Sequence, residues 1–541
     1  MATDADFHRD AGALVALTRF GLGARPGDMR RIASDPRGAV LAELTAPNVA
    51  LLPDPYLVSA ADSSRHYQER KALRQLLTGR KVREKRNVVI ETMVADGRLP
   101  KELVQKAALL LQEKSAKKPA GAEAMADPDM GGSMAASPMA GDDMAGDMDG
   151  RAPGKAGKKG KPGRTGLDDP DAPAIPTQPM DDEAAARFVR TRNADIGFVE
   201  RLVSFWGDHL TVSTKGGGYI RWVAGAYDRE AIRPHVLGRF EDMLLASARH
   251  SAMLHYLDNQ ASIGPNSEAA KRNGKGLNEN YARELLELHT VGAGAGYTQA
   301  DVIELAKALT GWRVEKGYKA DNLEQFDFAP RAHEPGERTV MGKRYPEGGA
   351  EQGEAILRDL ARHPATAARL ARRLAVAFVA DEPPPALVQR LERTFRDTQG
   401  DLREVAAALV SADEAWDAPR AKMRSPQEFV FASIRLVGRQ PRAERLIEAL
   451  NALGQPMWGA SQPKGYSIVG RDWIAPDAQT NRLDFAVDLA RDHADDIDPN
   501  ALAEDVLGAA MSDETRTAVK RAGSREQAFA LLVMSPEMQR R

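Results

Sequence analysis

Residues 277–312 read LNENYARELLELHTVGAGAGYTQADVIELAKALTGW, and this stretch decides the fold class. In its second half Thr298 and Asp301 make a T-x-x-D capping box. Val302, Leu305, Ala306 and Leu309 then recur at i, i+3, i+4 and i+7, and Gly311 closes the segment. Start, apolar stripe and stop of a helix are all present. In the first half, a helical wheel at about 100° per residue gathers Asn280, Arg283, Glu284 and Glu287 into one arc. Tyr281, Ala282, Leu285, Leu286 and Leu288 fill the opposite arc, with His289 in its middle. A histidine there is either a core residue hydrogen-bonded to a backbone carbonyl, or a ligand or base in a buried pocket. Glu279 and Arg283, at i and i+4, account for the polar face as a solvated salt-bridge ladder. Yet Asn278, Glu279 and Asn280 place three hydrogen-bonding side chains in a first turn that needs one cap. Glu284 and Glu287, on adjacent turns, offer metal-ligand oxygens or acid/base carboxyls.

The same helical grammar recurs outward. Ser425, Pro426 and Glu428 supply a cap, a first-turn proline and an acidic third position. Amphipathic runs cover 67–113, 184–206, 236–257, 364–379, 384–397, 401–413, 441–453 and 480–495. Strand signals are confined to 324–345, where Phe326-Asp327-Phe328 and 338–345 flank Pro335-Gly336 like a small hairpin. The expected fold is mainly α: a large multi-helix orthogonal array with a small β-hairpin and a long disordered insertion. The insertion, 115–182, is rich in Gly, Pro, Ala, Asp, Lys and Met and cannot bury enough apolar surface to offset its ordering entropy. It divides an N-terminal helical part, 1–114, from a central core, 183–420, and a C-terminal part of the same core, 421–541.

Composition removes whole classes of function. The 541 residues contain no cysteine, which excludes disulfides, thiolate metal sites and cysteine nucleophiles. With 75 basic and 77 acidic residues the net charge is −2, so no global field draws the chain to nucleic acid. No stretch approaches the roughly 20 apolar residues of a transmembrane helix. The first residues lack a basic start and a sustained apolar run. The chain as given reads as cytoplasmic, or as periplasmic or secreted if a leader has been removed.

Other motifs are weaker. In SFWGDHLTVSTKGGG, Asp208 and His209 sit beside Phe205 and Trp206 at a helix end, either as pocket residues or as a helix terminus with a dipole-compensating histidine. Lys215-Gly216-Gly217-Gly218 lacks the P-loop spacing, and Gly21-Leu22-Gly23 lacks the third glycine of a dinucleotide fingerprint. His333-Glu334 falls in the β-like turn. Neither H-E-x-x-H nor G-x-S-x-G is present.

Taken together, ALTRFGLGARPGD (16–28), SFWGDHLTVS (204–213), residues 277–312, FDFAPRAHEPGERTVMG (326–342), KMRSPQEFVFASIR (422–435) and LLVMSPEMQRR (531–541) resemble the bacterial family called domain of unknown function 1800. The resemblance implies no established activity. It implies relatives that are often secreted and commonly encoded beside the domain of unknown function 1501 family, which is similar to sulfatases and alkaline phosphatases. That makes such a protein the expected partner. The family's recurring polar positions fall here on His209, Asn278, Glu279, Asn280, Arg283, Glu284, Thr298, Gln299, Asp301, Gly311, Trp312, His333 and Gly336. Relatives often show Asn where this chain has Asp208, and Asp where it has Glu334.

Two functional readings follow, with a third beside them. The first is a hydrolase-like enzyme using metal assistance or acid/base chemistry. Its catalytic candidates are His209, Glu284, His333 and Arg283, and its metal-ligand candidates are His209, Glu284 and His289, with a divalent metal as the open cofactor. Asp208, Asn278, Glu279, Asn280, Asp301 and Trp312 complete its polar signature. The second is a non-catalytic partner or scaffold in which that signature ties capped helices together. The third is copper handling through Met125, Met130, Met134, Met139, Met144 and Met148, spaced four or five apart in the insertion.

Overall fold

The computed structural model describes residues 4–77, 82–83, 86–116, 179–273, 276–439 and 441–541. The methionine run and most of the insertion therefore lie outside the described residues. Two compact units emerge: Met1–Ser64 with Gln178–Arg541, and Arg65–Thr177. The boundary after Ser64 falls inside the helix Ala60–Leu77, within the stretch that the sequence suggests is one N-terminal segment.

In the smaller unit the described helices are the remainder of Ala60–Leu77, then Asn87–Ala95 and Lys101–Ala116. Leu73, Val89, Ile90, Met93 and Leu103 are among its buried apolar residues. Arg98, in the connection between the last two helices, pairs with Glu69 at 2.7 Å.

The larger unit is predominantly helical, as the 3.6-residue patterning requires. Both capping boxes form: Thr298 with Asp301 opens Gln299–Ala308, and Ser425 with Glu428 opens Pro426–Leu436. The 184–206 run is two helices, Met180–Asn193 and Phe198–His209, broken between Ala194 and Gly197. The aromatic core joins first, middle and later segments. Phe20 meets Phe198 edge-on at 5.8 Å, and Phe198 meets Phe378 at 5.5 Å. Buried guanidiniums link distant backbone. Arg435 donates to the carbonyls of Gly23, Thr191, Ala194 and Asp195, and Arg233 forks onto Glu200 with two 2.9 Å bonds. Such planar, multi-donor groups satisfy the carbonyls left over at helix ends. Among the described residues, no helix is long and apolar enough to cross a membrane.

The β structure differs from the expected pairing. Phe326–Phe328 pairs antiparallel with Trp312–Val314, and Arg338–Val340 with Lys343–Tyr345, giving two separate two-stranded sheets. The second is closed by Met341 and Gly342, with φ of 46° and 78°. Two successive left-handed residues are what a two-residue hairpin needs to match strand twist, so 338–345 folds on itself rather than onto Phe326–Phe328.

Candidate functional site

The helix Phe198–His209 places Arg201, Ser204, Phe205 and Asp208 on one stripe, at i, i+3, i+4 and i+7. That stripe forms one wall of a cavity of ≈ 130 Å³. Further lining comes from Gln427, Glu428 and Phe431 of the helix Pro426–Leu436, and from Trp458, Tyr466 and Trp473 of the stretch between the helices Ala443–Ala452 and Pro476–His493. Ala377 and Phe378, at the end of the helix Pro364–Phe378, contribute a further part. Lys422 and Arg541 are brought in by a short antiparallel contact between Met423 and Arg540, in which the Arg541 amide donates to the Lys422 carbonyl at 2.9 Å.

Asp208 is half-buried here. One carboxylate oxygen accepts from the Tyr466 amide at 2.7 Å. Burial pushes its carboxyl up to about 7, against the pull of that amide and of Arg373 and Arg187. The approach of the 465–466 backbone depends on Gly465. It has φ of +76°, and a Cβ there would stand 2.3 Å from the Asp208 carbonyl oxygen. Arg187 donates to Ser204 Oγ at 2.7 Å and faces Asp228 at 3.7 Å, closing one side of the cavity with a balanced pair.

The other side is cationic. Glu428 Oε1 is shared between Arg201 at 2.8 Å and Arg541 at 2.9 Å, while Glu428 Oε2 accepts from the Ser425 amide. Against the upward push of burial, Arg541 and Arg201 hold the Glu428 carboxyl down at about 2. Burial, and next the neighbouring Arg541, bring the Lys422 ammonium down to about 8 and the Arg201 guanidinium to about 9. Lys422 donates to Asp381 and to the Ile468 carbonyl.

The sequence-derived candidates go to several places. Asp208 lines the cavity. His209, one residue on, turns into the core: it is 2 % exposed, and its Nε2–H donates to the His289 carbonyl at 3.1 Å. Its ring stacks near Phe205 and meets Trp206 edge-on. His289 is buried as well, with Nε2 unpartnered. It ends a π-helical turn, Leu285–His289, that follows the short α-helix Asn280–Glu284. The widened turn leaves carbonyls unclaimed, and Arg369, His209 and Thr290 take up those of Glu287, His289 and Leu285. Glu284 is half-buried, with its carboxyl raised to about 7 by burial and by Glu287.

Arg283 donates to Glu279 at 3.2 Å and to Gln299 at 3.0 Å. Asn278 Oδ1 accepts from the Asn280 amide, and Asp301, besides its cap, accepts from the Met341 amide. His333 donates through Nδ1 to the Thr310 carbonyl at 2.9 Å, and Glu334 holds Asn266 through two bonds. Trp312 is fully buried in its strand, edge-on to Phe326. Among the described residues no hydrogen bond or ion pair joins His209, Glu284 and His333. Nor do any three His, Asp or Glu side chains stand where they could hold a metal ion.

Nothing in the sequence alone marks Lys422, Arg201, Arg541, Glu428 and Tyr466 as site residues. Lys422 and Glu428 share the KMRSPQE stretch, whose local signal is a helix cap, while Arg201, Tyr466 and Arg541 come from three other segments.

What the fold and site define is a predominantly helical protein in which a half-buried carboxyl, Asp208, and several cations line one cavity. The chain belongs to the family described as Protein of unknown function (DUF1800), whose sequence model matches residues 15–540. Neither the search of curated proteins nor that of solved structures finds a match.

Proposed function

We propose that the chain is a hydrolase-like enzyme working by acid/base chemistry at Asp208. The observation that carries this is the convergence on one cavity of a carboxyl that exchanges its proton near neutral pH, a set of cations and an aromatic lining. A carboxyl poised near the working pH can take a proton from an attacking water and return it to a leaving group. Phe205, Phe378 and Trp458 supply apolar walls that hold a substrate body and limit water. The test is turnover by the purified chain across p-nitrophenyl esters, phosphates and sulfates and an anilide. The expected result is hydrolysis in one class with a rate transition near pH 7, abolished in Asp208→Asn at unchanged far-UV circular dichroism. Full turnover by that variant, or no turnover in any class, overturns it.

A second reading is favoured by a different observation: Glu279, Arg283, Gln299, Thr298 and Asp301 satisfy one another, as a structural network would. In that reading the chain is a scaffold for a sulfatase- or phosphatase-like partner of the domain of unknown function 1501 type, with the 115–182 segment as the docking arm. Co-purification of such a partner with the full chain, lost on deleting 115–180 and kept in Glu284→Ala, would support it. Equal co-purification without the segment would count against it.

A further inference from the structure

The part of the cavity lining around Glu428 has more cations than the protein's own carboxylates balance. Arg201, Lys422 and Arg541 reach the cavity, and Arg424 and Arg482 are fully buried behind them. Glu428 divides one carboxylate between two guanidiniums, and Asp381 is occupied by Lys422 together with the amides of Gly470 and Arg471. Arg424 spends Nη1 on the Met538 carbonyl and leaves Nη2 buried without a partner. Burial in first place, and neighbouring cations after it, weaken the hold of Lys422, Arg201 and Arg424 on their protons. Like charges so confined are destabilising unless an anion joins them. Phe378, Phe431 and Trp473 add flat apolar faces to the lining. The free volume of ≈ 130 Å³ is close to the ~150 Å³ that admits a benzene-sized molecule.

We infer that this cavity binds a small molecule whose oxyanion head group, carboxylate or phosphate, is held by Lys422, Arg541 and Arg201 while its apolar body lies against Phe378 and Phe431. This rests on the reading of the cavity as an acid/base site and adds the class of substrate: the anion anchors one end and leaves the other facing Asp208. An arginine fork and an ammonium suit both head groups, since each offers two or more equivalent oxygens.

The experiment is calorimetric titration of the full chain with benzoate and with benzamide, its neutral isostere, followed by competition with inorganic phosphate. Benzoate is expected to bind at least tenfold more tightly than benzamide. Lys422→Met should lose at least tenfold in benzoate affinity, Lys422→Arg should keep most of it, and Lys520→Met, at an exposed position, should change nothing. Displacement of benzoate by phosphate assigns the head group to phosphate, and its failure to displace assigns it to carboxylate. Equal binding of benzoate and benzamide, or no binding of either, overturns the inference without recourse to any variant. So does undiminished benzoate binding by folded Lys422→Met. The two readings fail separately. Benzoate binding retained by an Asp208→Asn chain that still turns substrate over removes the catalytic reading alone, and turnover without any anion preference removes the head-group reading alone.

Discussion

The imidazole of His209 donates from Nε2 to the backbone carbonyl of His289 at 3.1 Å, while the residue before it, Asp208, faces the cavity. Adjacent positions on a helix point about 100° apart, so one block of sequence serves both core and site. The bond makes His209 an anchor for the π-helical turn ending at His289. His209→Ala removes a buried ring and orphans that carbonyl. Urea unfolding should show a loss of about 3 kcal/mol, with any residual activity keeping its pH profile.

Both histidines are buried in the neutral form. Burial first, then Arg373 and Arg369, holds His209 well below its usual value, and burial with Arg369 brings His289 to about 3. The unfolded chain therefore binds more protons below about pH 6.5. Stability is full above that pH and falls as the pH drops towards the folded values. Between pH 6.5 and 5 the loss should be about 2 kcal/mol per histidine. Thermal melts across that interval check it, and His289→Asn should flatten the dependence.

Asp208 has the opposite sign to a salt-bridged carboxylate. Its folded value of about 7 lies above the ordinary 3.8, so the folded chain binds the extra proton. Stability is highest below the unfolded value and falls as pH rises through the interval up to about 7. Asp208→Asn should therefore be more stable than the parent at pH 8, by up to about 3 kcal/mol, and nearly equal to it at pH 4. Denaturant midpoints at the two values decide it.

Glu428 is the carboxylate between Arg201 and Arg541. Glu428→Gln leaves buried cations facing one another and should cost about 3–5 kcal/mol at pH 7. Added benzoate should restore more of the melting temperature in this variant than in the parent.

Gly465→Ala puts a methyl group onto the Asp208 carbonyl at a left-handed backbone position. A loss of about 2 kcal/mol or more is expected, together with a displaced pH transition at Asp208. Arg283→Ala makes the contrast: its pair with Glu279 is 41 % and 35 % exposed, so unfolding should shift by no more than about 0.5 kcal/mol and activity should be unchanged.

Local chemistry was readable in advance and assembly was not. Thr298–Asp301 and Ser425–Glu428 are caps because three residues suffice to define them. The pairing of Phe326–Phe328 with Trp312–Val314 escaped notice because three-residue strands carry almost no period-2 signal. Asp208 and His209 were recognised, but the wheel that would separate their directions needs the helix boundary at Gly197. The sequence leaves His289 between a core role and a pocket role. Its unexpected π-helical turn shifts the register that a 100° wheel assumes. The cationic wall was out of reach altogether: Arg201, Lys422 and Arg541 are ordinary surface residue types until folding removes their water.

Because the cavity is walled by Arg187, Arg201, Phe378, Lys422 and Arg541, its parts are synthesised far apart in time. A nascent chain holding only the first half presents Arg201 and Phe205 without Glu428 or Lys422. The contact of Met423 with Arg540 forms only when the segment bearing Arg540 has emerged and docked. Anything that binds there thus recognises chains folded through Arg541 and ignores shorter ones. In a cell, such a compound would protect chains in which this cavity has closed from proteases and leave those lacking it to be cleared.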